Sequence, residues 1–343
     1  MKHPTINLYL PGLWTLLRHG GSEALAEMPS LQLLLKRCDS LVEYEHESET
    51  HLLNSLGWQP VEECDSPIAA LEWLAEGLAT EGDTYWFRAD PVHLTEDQNY
   101  LMMSYPAELD LDLQEAKILA DNINRHFAED GWELKVADSK RWYLRLDKHA
   151  GIRTTAAWRV VGRDVFNLMP VGAYSKQWHS WLMELQMLLF SHSVNEERNK
   201  QGQAAVSGLW LWGGGNLPVL SPTSRYLLRG NTLFMQGVGR QSGCETKDLP
   251  EDMSSVLNDI ALNCEQLIML EHARSALQSG DLHQGISSLK QLEKEVFRPM
   301  LLLLKSRNLK RLIVIDTPGF ILDTSAGGMK KWWRRRKQIP GLS

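Results

Sequence analysis

Five polar residues in two short stretches have the types and spacing for anion recognition. His192, Asn195 and Arg198 follow one another at intervals of three, so a helical segment would carry all of them on one side. Arg88 and Asp90 stand two apart in Trp86-Phe87-Arg88-Ala89-Asp90-Pro91, so a strand would project both from one face near its end. A guanidinium is planar and presents paired N–H groups, which suits bidentate contact with phosphate oxygens. Arg88 is therefore a candidate phosphate ligand; the competing reading is an ion pair between Arg88 and Asp90. His93, just past Pro91, is a further candidate for the same place, with a structural role as its alternative.

These residues need elements to position them. Trp178, Trp181, Leu182, Leu185 and Leu189 form the apolar stripe of a helix that leads into His192. A short helix follows, which Asn195 caps in one reading, with Glu196 and Glu197 in its first turn, Lys200 in its last and Gly202 at a left-handed stop. Residues 206–212 read as a strand buried on both faces, ended by Gly213-Gly214-Gly215. Three glycines leave amides open to an anion, but no Lys-Ser/Thr follows as in a P-loop, and a tight turn is the plainer reading. Upstream, Ser66 is placed to cap a helix with Pro67 at its first position and with Ile68, Leu71, Leu74, Ala75 and Leu78 inward. Residues 84–90 are the strand that carries Arg88, expected to stop at Pro91.

The remaining pattern supplies a framework. Residues 5–10 read as a first strand closed by Pro11-Gly12, 113–127 as a helix, 132–136 and 142–146 as strands, and 311–315 as a last strand. Residues 254–279 and 283–305 read as a helical hairpin whose second arm is kinked at Pro299. The fold expected is α/β: a mixed or parallel sheet flanked by helices, in one domain over 1–343 that contains the hairpin 254–305.

The run from His192 through Asn195 and Arg198 to Gly202 resembles the HPxNxxRxxxG…AN…W segment of the archaeal-type, cofactor-independent phosphoglycerate mutases of the alkaline phosphatase superfamily. Ser193 stands in place of that pattern's Pro, and Ser207 in place of its Asn. Leu56-Gly57-Trp58-Gln59-Pro60 is similar to the family's Leu-Gly-Tyr-Asp-Pro, and the segment around Arg88 to its FRxNFAT or NFRADR. A closer likeness, through Trp210-Leu211-Trp212-Gly213-Gly214-Gly215, is to a bacterial group of phosphoglycerate-mutase-like proteins also labelled regulators of pathogenicity factors. The resemblance covers residues 56–216. It implies an alkaline-phosphatase-like remnant that binds a small phosphorylated metabolite, such as 3-phosphoglycerate, through Arg88, Asp90, His192, Asn195 and Arg198.

Catalysis in that superfamily uses metals held by Asp and His to activate a Ser or Thr nucleophile. Here Pro11-Gly12 replaces the family's first-strand Asp-Gly, and no late Asp-His-Ser element is present. Asp316, at the end of the last strand, is the one comparable acid; it also reads as a turn-initiating Asp. No cofactor is expected, with a divalent metal left open and catalytic residues unknown. An active chain would be a phosphomutase or a phosphatase-like enzyme. An inactive one would be a pseudoenzyme, with a small metabolite or a protein as its partner.

Two other echoes point elsewhere. Arg18-His19-Gly20 has the tripeptide of the histidine phosphatases, but a Pro-Gly break and a helix separate it from the first strand, which fits an exposed helix instead. Glu43, Glu45, His46, Glu47, Glu49 and His51 lack a clean ligand spacing and read as a solvated face. Over 343 residues the formal charge is −7, which weighs against a nucleic-acid partner. The tail 330–343 is the exception: it sets six positive charges around Trp332 and Trp333 and leaves the rest of the chain at −13. It reads as a helix docked on the acidic body or as a binder of phosphate backbones or anionic lipid. Four scattered cysteines, without CxxC spacing or an uninterrupted apolar span, suggest buried thiols in a cytoplasmic protein without a membrane span.

Overall fold

The computed structural model describes residues 4–61, 64–77, 83–97, 100–104, 109–160, 163–221, 225–259, 264–278, 282–316 and 319–331. The tail therefore lies outside the described residues from Trp332 onward. In chain order the elements are β1 (Thr5–Tyr9), α1 (Leu13–Ala26), α2 (Pro29–Arg37), β2 (Ser40–Tyr44) and α3 (Ser48–Ser55). Then come α4 (Ile68–Ala75), β3 (Tyr85–Asp97), β4 (Tyr100–Ser104), α5 (Leu113–His126), β5 (Glu133–Val136) and β6 (Trp142–Leu146). These lead to α6 (Ser175–Phe190), α7 (Ser193–Lys200) and β7 (Gly208–Asn216). The chain ends through β8 (Tyr226–Arg229), α8 (Leu233–Ser242), β9 (Glu245–Lys247), β10 (Glu265–Met269), α9 (His272–Gln278), α10 (Leu282–Leu292), α11 (Arg298–Lys305), β11 (Arg311–Asp316) and β12 (Gly319–Ser325). Contacts divide it into two compact units, Met1–Trp58 with Leu220–Ser343 and Gln59–Val219, where the sequence reads as one domain.

The first unit holds a seven-stranded sheet in the order β2-β12-β11-β1-β10-β8-β9. The run from β11 to β9 is parallel, and β12 is antiparallel to both β11 and β2. Ile6, Leu8 and Leu10 alternate along β1 into one core with Leu13 and Leu17 of α1, Leu31 of α2 and Leu301 of α11. Tyr9, on the opposite face, bonds through its hydroxyl to His51 of α3 at 3.2 Å, so helices cover both faces, as a parallel sheet requires. No described helix is long and apolar enough to cross a membrane.

Within 254–279 the structure departs from the expected hairpin arm. A short 3-10 segment, Met253–Asp259, precedes β10, which sits beside β1 in the middle of the sheet. The apolar run of Leu267, Ile268, Met269 and Leu270 has no periodicity of its own to separate a buried strand from a buried helix. The second arm is helical. A π segment, Glu293–Phe297, joins α10 to α11 just ahead of Pro299, whose missing N–H is the local reason for the irregularity.

The second unit is an antiparallel sheet in the order β4-β3-β6-β5, with β7 also paired to β3. Strand β3 does not stop at Pro91. Along one edge it pairs with β6 through Arg88 and with β4 from His93, so Pro91 falls in the gap between partners, where an absent N–H costs no ladder bond. The glycine triplet does not end β7 in a turn but lies inside it. A Cβ on Gly214 would stand 2.2 Å from the Phe87 ring and one on Gly215 2.7 Å from Pro67, so close approach, not chain reversal, requires glycine there.

Candidate functional site

Arg88 is enclosed by acids. It projects from β3 toward α4, where Nη1 donates to Glu72 Oε2 at 2.5 Å and Nη2 to Asp90 Oδ1 at 2.6 Å. Trp212 Nε1 of β7 donates to the other Asp90 oxygen at 2.7 Å, and the guanidinium lies over the rings of Tyr143 and Trp212 at 5.5 and 5.1 Å. Burial pushes the carboxyls of Glu72 and Asp90 up, while Arg88 draws them down. With both acids charged the triad is net negative, and the guanidinium has no second nitrogen pair to offer a phosphate. Of the two readings of Arg88, this geometry is that of the ion pair.

Asn195 and Arg198 are also committed. The Asn195 amide donates to the carbonyls of Leu189 and Val206 and accepts from the Val206 amide, each at 2.8 Å. The Arg198 side chain, 1 % exposed, donates to the carbonyls of Ala204, Asp110 and Leu109 and to Glu115. The cap of α7 is His192, not Asn195: its Nδ1 accepts from the Val194 amide at 3.1 Å, and burial lowers the ring's basicity. His93 Nδ1 lies 2.7 Å from the carbonyl of Ala205, the structural alternative.

The five residues do not converge. Tyr85, Phe87 and Ala89 of β3 face the core shared with Leu119, Trp178, Leu189 and Val206, the side that holds Asn195 and Arg198. Arg88 and Asp90 alternate with them and share the opposite face with Trp86, which packs on Ala69, Ala70 and Trp73 of α4. The polar spacing at 192–198 does mark one face of a helix, but a face turned inward, where it ties down the carbonyls of neighbouring loops.

The arrangement with the most chemistry lies in the first unit, at the carboxyl edge of its parallel strands, where ligands of open α/β sheets bind. Asp316 ends β11, 3 % exposed, and its Oδ1 accepts from the Gly12 amide at 2.8 Å while Oδ2 accepts from Trp14 N. It thus caps α1 from across the sheet. Burial lifts its carboxyl to about 7, against the pull of those amides and of Arg274. Gly12 sits at φ +92°, with the α9 backbone at Arg274 N only 3.2 Å from where a Cβ would be, so Pro11-Gly12 serves close helix packing. Arg274 donates to Glu49 at 2.5 Å and approaches Glu271 at 3.3 Å. Burial works against its charge, and the two carboxylates outweigh it and hold the guanidinium charged. Glu49 is 1 % exposed and His51 is bonded to the buried Tyr9 hydroxyl, which corrects the solvated reading for these two members of the run. Beside this group, at the carboxyl ends of β8 and β10, Asn231, Thr232, Met269, His272 and Ser275 line a cleft of about 420 Å³, together with Glu271, whose charge is paired with Arg274.

Metal ligation does not fit these residues. Among the described residues no group of three or more His, Cys, Asp or Glu is placed to hold a metal ion. Each Asp316 oxygen already accepts an amide, and Arg274 pairs with Glu49 and Glu271 and offsets one of their two charges. Sequence reasoning named Glu49 only within the acidic run and missed Arg274 and the pairing of the two, which stand 225 residues apart and share no local pattern.

No family model matches the chain. It is 28 % identical over 147 residues to a 2,3-bisphosphoglycerate-independent phosphoglycerate mutase of Methanothermobacter thermautotrophicus, a match covering 41 % of this chain and 37 % of that protein. Enzymes of the same name from Methanosarcina barkeri and Methanosarcina mazei match at 23 % over 177 residues and 22 % over 205. Those alignments cover 51 % and 58 % of this chain and 43 % and 50 % of the relatives, so the chain spans half or less of the curated relatives it matches. Among solved structures, the PH0037 protein from Pyrococcus horikoshii superposes with a TM-score of 0.53 at 15 % identity, over 95 % of this chain and 88 % of that one, which shows a shared fold. A cofactor-independent phosphoglycerate mutase from Thermoplasma acidophilum aligns over 100 % of this chain and 95 % of its own, with a TM-score of 0.49 and 15 % identity. At 22 to 28 % identity, the chain is a distant homologue of the archaeal cofactor-independent phosphoglycerate mutases.

Proposed function

We propose that this phosphoglycerate-mutase-like chain binds a small phosphorylated metabolite and does not turn it over. One observation carries the reading: the carboxyl edge of the parallel sheet keeps a cleft while its acids are bound to a guanidinium and to backbone amides. Metal-assisted phosphoryl transfer needs carboxylate lone pairs free to hold the cation. Binding needs less. The N-terminus of α8, capped by Thr232, lies in the cleft wall and favours an anion. His272 lines the same space, and its enclosed Nδ1 has no hydrogen-bond partner.

A thermal-shift panel of 3-phosphoglycerate and related compounds, run with and without manganese or zinc, tests the reading. A ligand at one hundred times its Kd stabilises by about 2.7 kcal/mol; the shift is expected without metal, with no product formed. His272→Gln should diminish it, and Arg88→Gln, whose guanidinium is already committed to acids, should leave it in place. Metal-dependent turnover overturns the non-catalytic part, and the absence of any shift overturns the binding part.

A further inference from the structure

A nucleophile and an imidazole meet in the second unit. Cys64 precedes α4, partly exposed, and its Sγ lies 2.8 Å from Nε2 of His149. The other ring nitrogen identifies the tautomer. The Gly151 amide donates to His149 Nδ1 at 3.0 Å, so Nδ1 holds a lone pair and the ring proton sits on Nε2. The imidazole is therefore the donor and the sulfur the acceptor. An N–H aimed at sulfur favours thiolate over thiol.

The surroundings hold this geometry in place. The His149 ring stands edge-on to Tyr85 at 5.0 Å, and Tyr85 is fully buried with a hydroxyl that has no hydrogen-bond partner. Among the described residues, the charged and titratable groups linked to the pair are Asp65, Arg153 and Tyr85, with Asp147 and Lys148 next to His149 in the chain; Glu62 and Glu63, which precede Cys64 in the sequence, lie outside the described residues. Burial raises the Asp65 carboxyl, which accepts from Thr154 and from the Gly214 amide and is drawn back by Arg153. Cys38, Cys244 and Cys264 are buried at 2, 7 and 7 % exposure, so Cys64 is the accessible thiol of the four. His149 also lines a cleft of about 490 Å³ walled by Tyr174, Trp178 and Trp181, whose charged groups are Glu129, Asp130, Asp147 and Lys148. Its charge balance is acidic.

We propose that Cys64 is a reactive thiolate, held by His149, that exchanges with small disulfides, cationic ones being favoured by the acidic, aromatic cleft that His149 lines. The sulfur of Cys64 attacks one sulfur of R–S–S–R. A new S–S bond forms, the old one breaks, and RS⁻ leaves with the electron pair and takes a proton from solvent. Cys64 is oxidised and the departing sulfur reduced; a second small thiol reverses the exchange.

The test uses the full chain with a neutral pyridyl disulfide over a range of pH, and then with cystamine and with oxidised glutathione. The expected result is a single fast-reacting cysteine that peptide mass spectrometry assigns to Cys64, with a half-maximal rate below the pH of about 8.5 typical of a free cysteine. Cystamine should react about tenfold faster than oxidised glutathione, and the ratio should shrink with added salt. His149→Phe should move the midpoint up and slow the reaction at neutral pH by about tenfold, whereas His149→Gln, whose amide N–H reaches the same position, should keep part of the effect. A wild-type midpoint at or above the free-cysteine value, or labelling elsewhere than Cys64, overturns the proposal even if His149→Phe does not fold. Equal rates with the two charged disulfides remove the cleft from it.

Discussion

Replacing Asp316 by Asn tests whether the carboxyl edge of the parallel sheet is built around a protonated acid. The side chain is 3 % exposed, its two oxygens receive the amides of Gly12 and Trp14, and burial raises its carboxyl to about 7. In the unfolded chain an aspartate ionises near about 4. Between those values the folded protein holds a proton that the unfolded chain has lost. Its contribution to stability is therefore complete below the lower value and is lost as pH rises through the upper one. The gap corresponds to about 4 kcal/mol. Asp316→Asn removes that pH dependence. It also sets an amide NH2 against one of the two backbone donors, which costs about 1–3 kcal/mol at every pH. Urea denaturation of both proteins over a pH series, followed by circular dichroism, should show the variant less stable in acid and the difference closing as pH approaches and passes neutrality. Other titrating groups cancel in the difference. Parallel curves, or a wild type that gains on the variant with rising pH, would refute the reasoning and identify Asp316 as an ionised cap.

Arg198→Met should cost about 3 kcal/mol or more in urea denaturation, because Glu115 and the carbonyls of Leu109, Asp110 and Ala204 lose their donor; unchanged stability would speak for a ligand-binding role. Arg88→Met should destabilise by about 3 kcal/mol near neutral pH and recover in acid, since Glu72 and Asp90, already raised by burial, would protonate without their counter-charge. A pH series of thermal melts reads this directly. Gly214→Ala should cost about 2–3 kcal/mol by pressing on the Phe87 ring. Gly213→Ala, at φ +64°, should cost about 1 kcal/mol in equilibrium unfolding; the reverse order would restore the turn reading.

What the sequence discloses here is local. The helix expected over 113–127 is α5, opened by a capping box at Asp112 and Glu115, and Trp178, Leu182, Leu185 and Leu189 are the buried face of α6 with Trp181 partly buried beside them, because a period of 3.6 needs no knowledge of partners. Gly202 adopts the expected left-handed stop at φ +73°. The α/β class follows from the same elements. Pro91 is different: whether a proline ends a strand depends on which neighbour lies on its N–H side, and that neighbour changes from β6 to β4 at this point. The glycine triplet depends on Phe87, Pro67 and Ile68, far away in the chain. Spacing placed Asn195 and Arg198 on one helix face but could not say which way it turns. Polar residues in a row suggest solvent or ligand, yet loops at 109–110 and 204–206 that bury carbonyls need donors as much as any ligand does. Arg274 with Glu49 and Cys64 with His149 are pairs 225 and 85 residues apart, and only the folded chain brings them together.

Arg274 gives a last test of how the acids at the carboxyl edge are arranged. A guanidinium bridges two carboxylates but offsets only one of their two charges, where a divalent metal would offset both, and it has no exchangeable ligand position and cannot polarise an oxygen brought to it. Glu49 at 2.5 Å and Glu271 at 3.3 Å bracket one cationic position, with the protonatable Asp316 close enough to feel its charge. Arg274→Gln leaves those acids around an uncharged amide, and losing one partner of a buried pair costs about 3–5 kcal/mol. If the acids are arranged as a cation site that the guanidinium fills, manganese should restore part of the loss in Arg274→Gln and leave the wild type unmoved. Oxygen donors favour that ion, and a concentration ten times the Kd would return about 1.4 kcal/mol. A melting temperature of Arg274→Gln that ignores manganese would mean the carboxylates surround arginine geometry only.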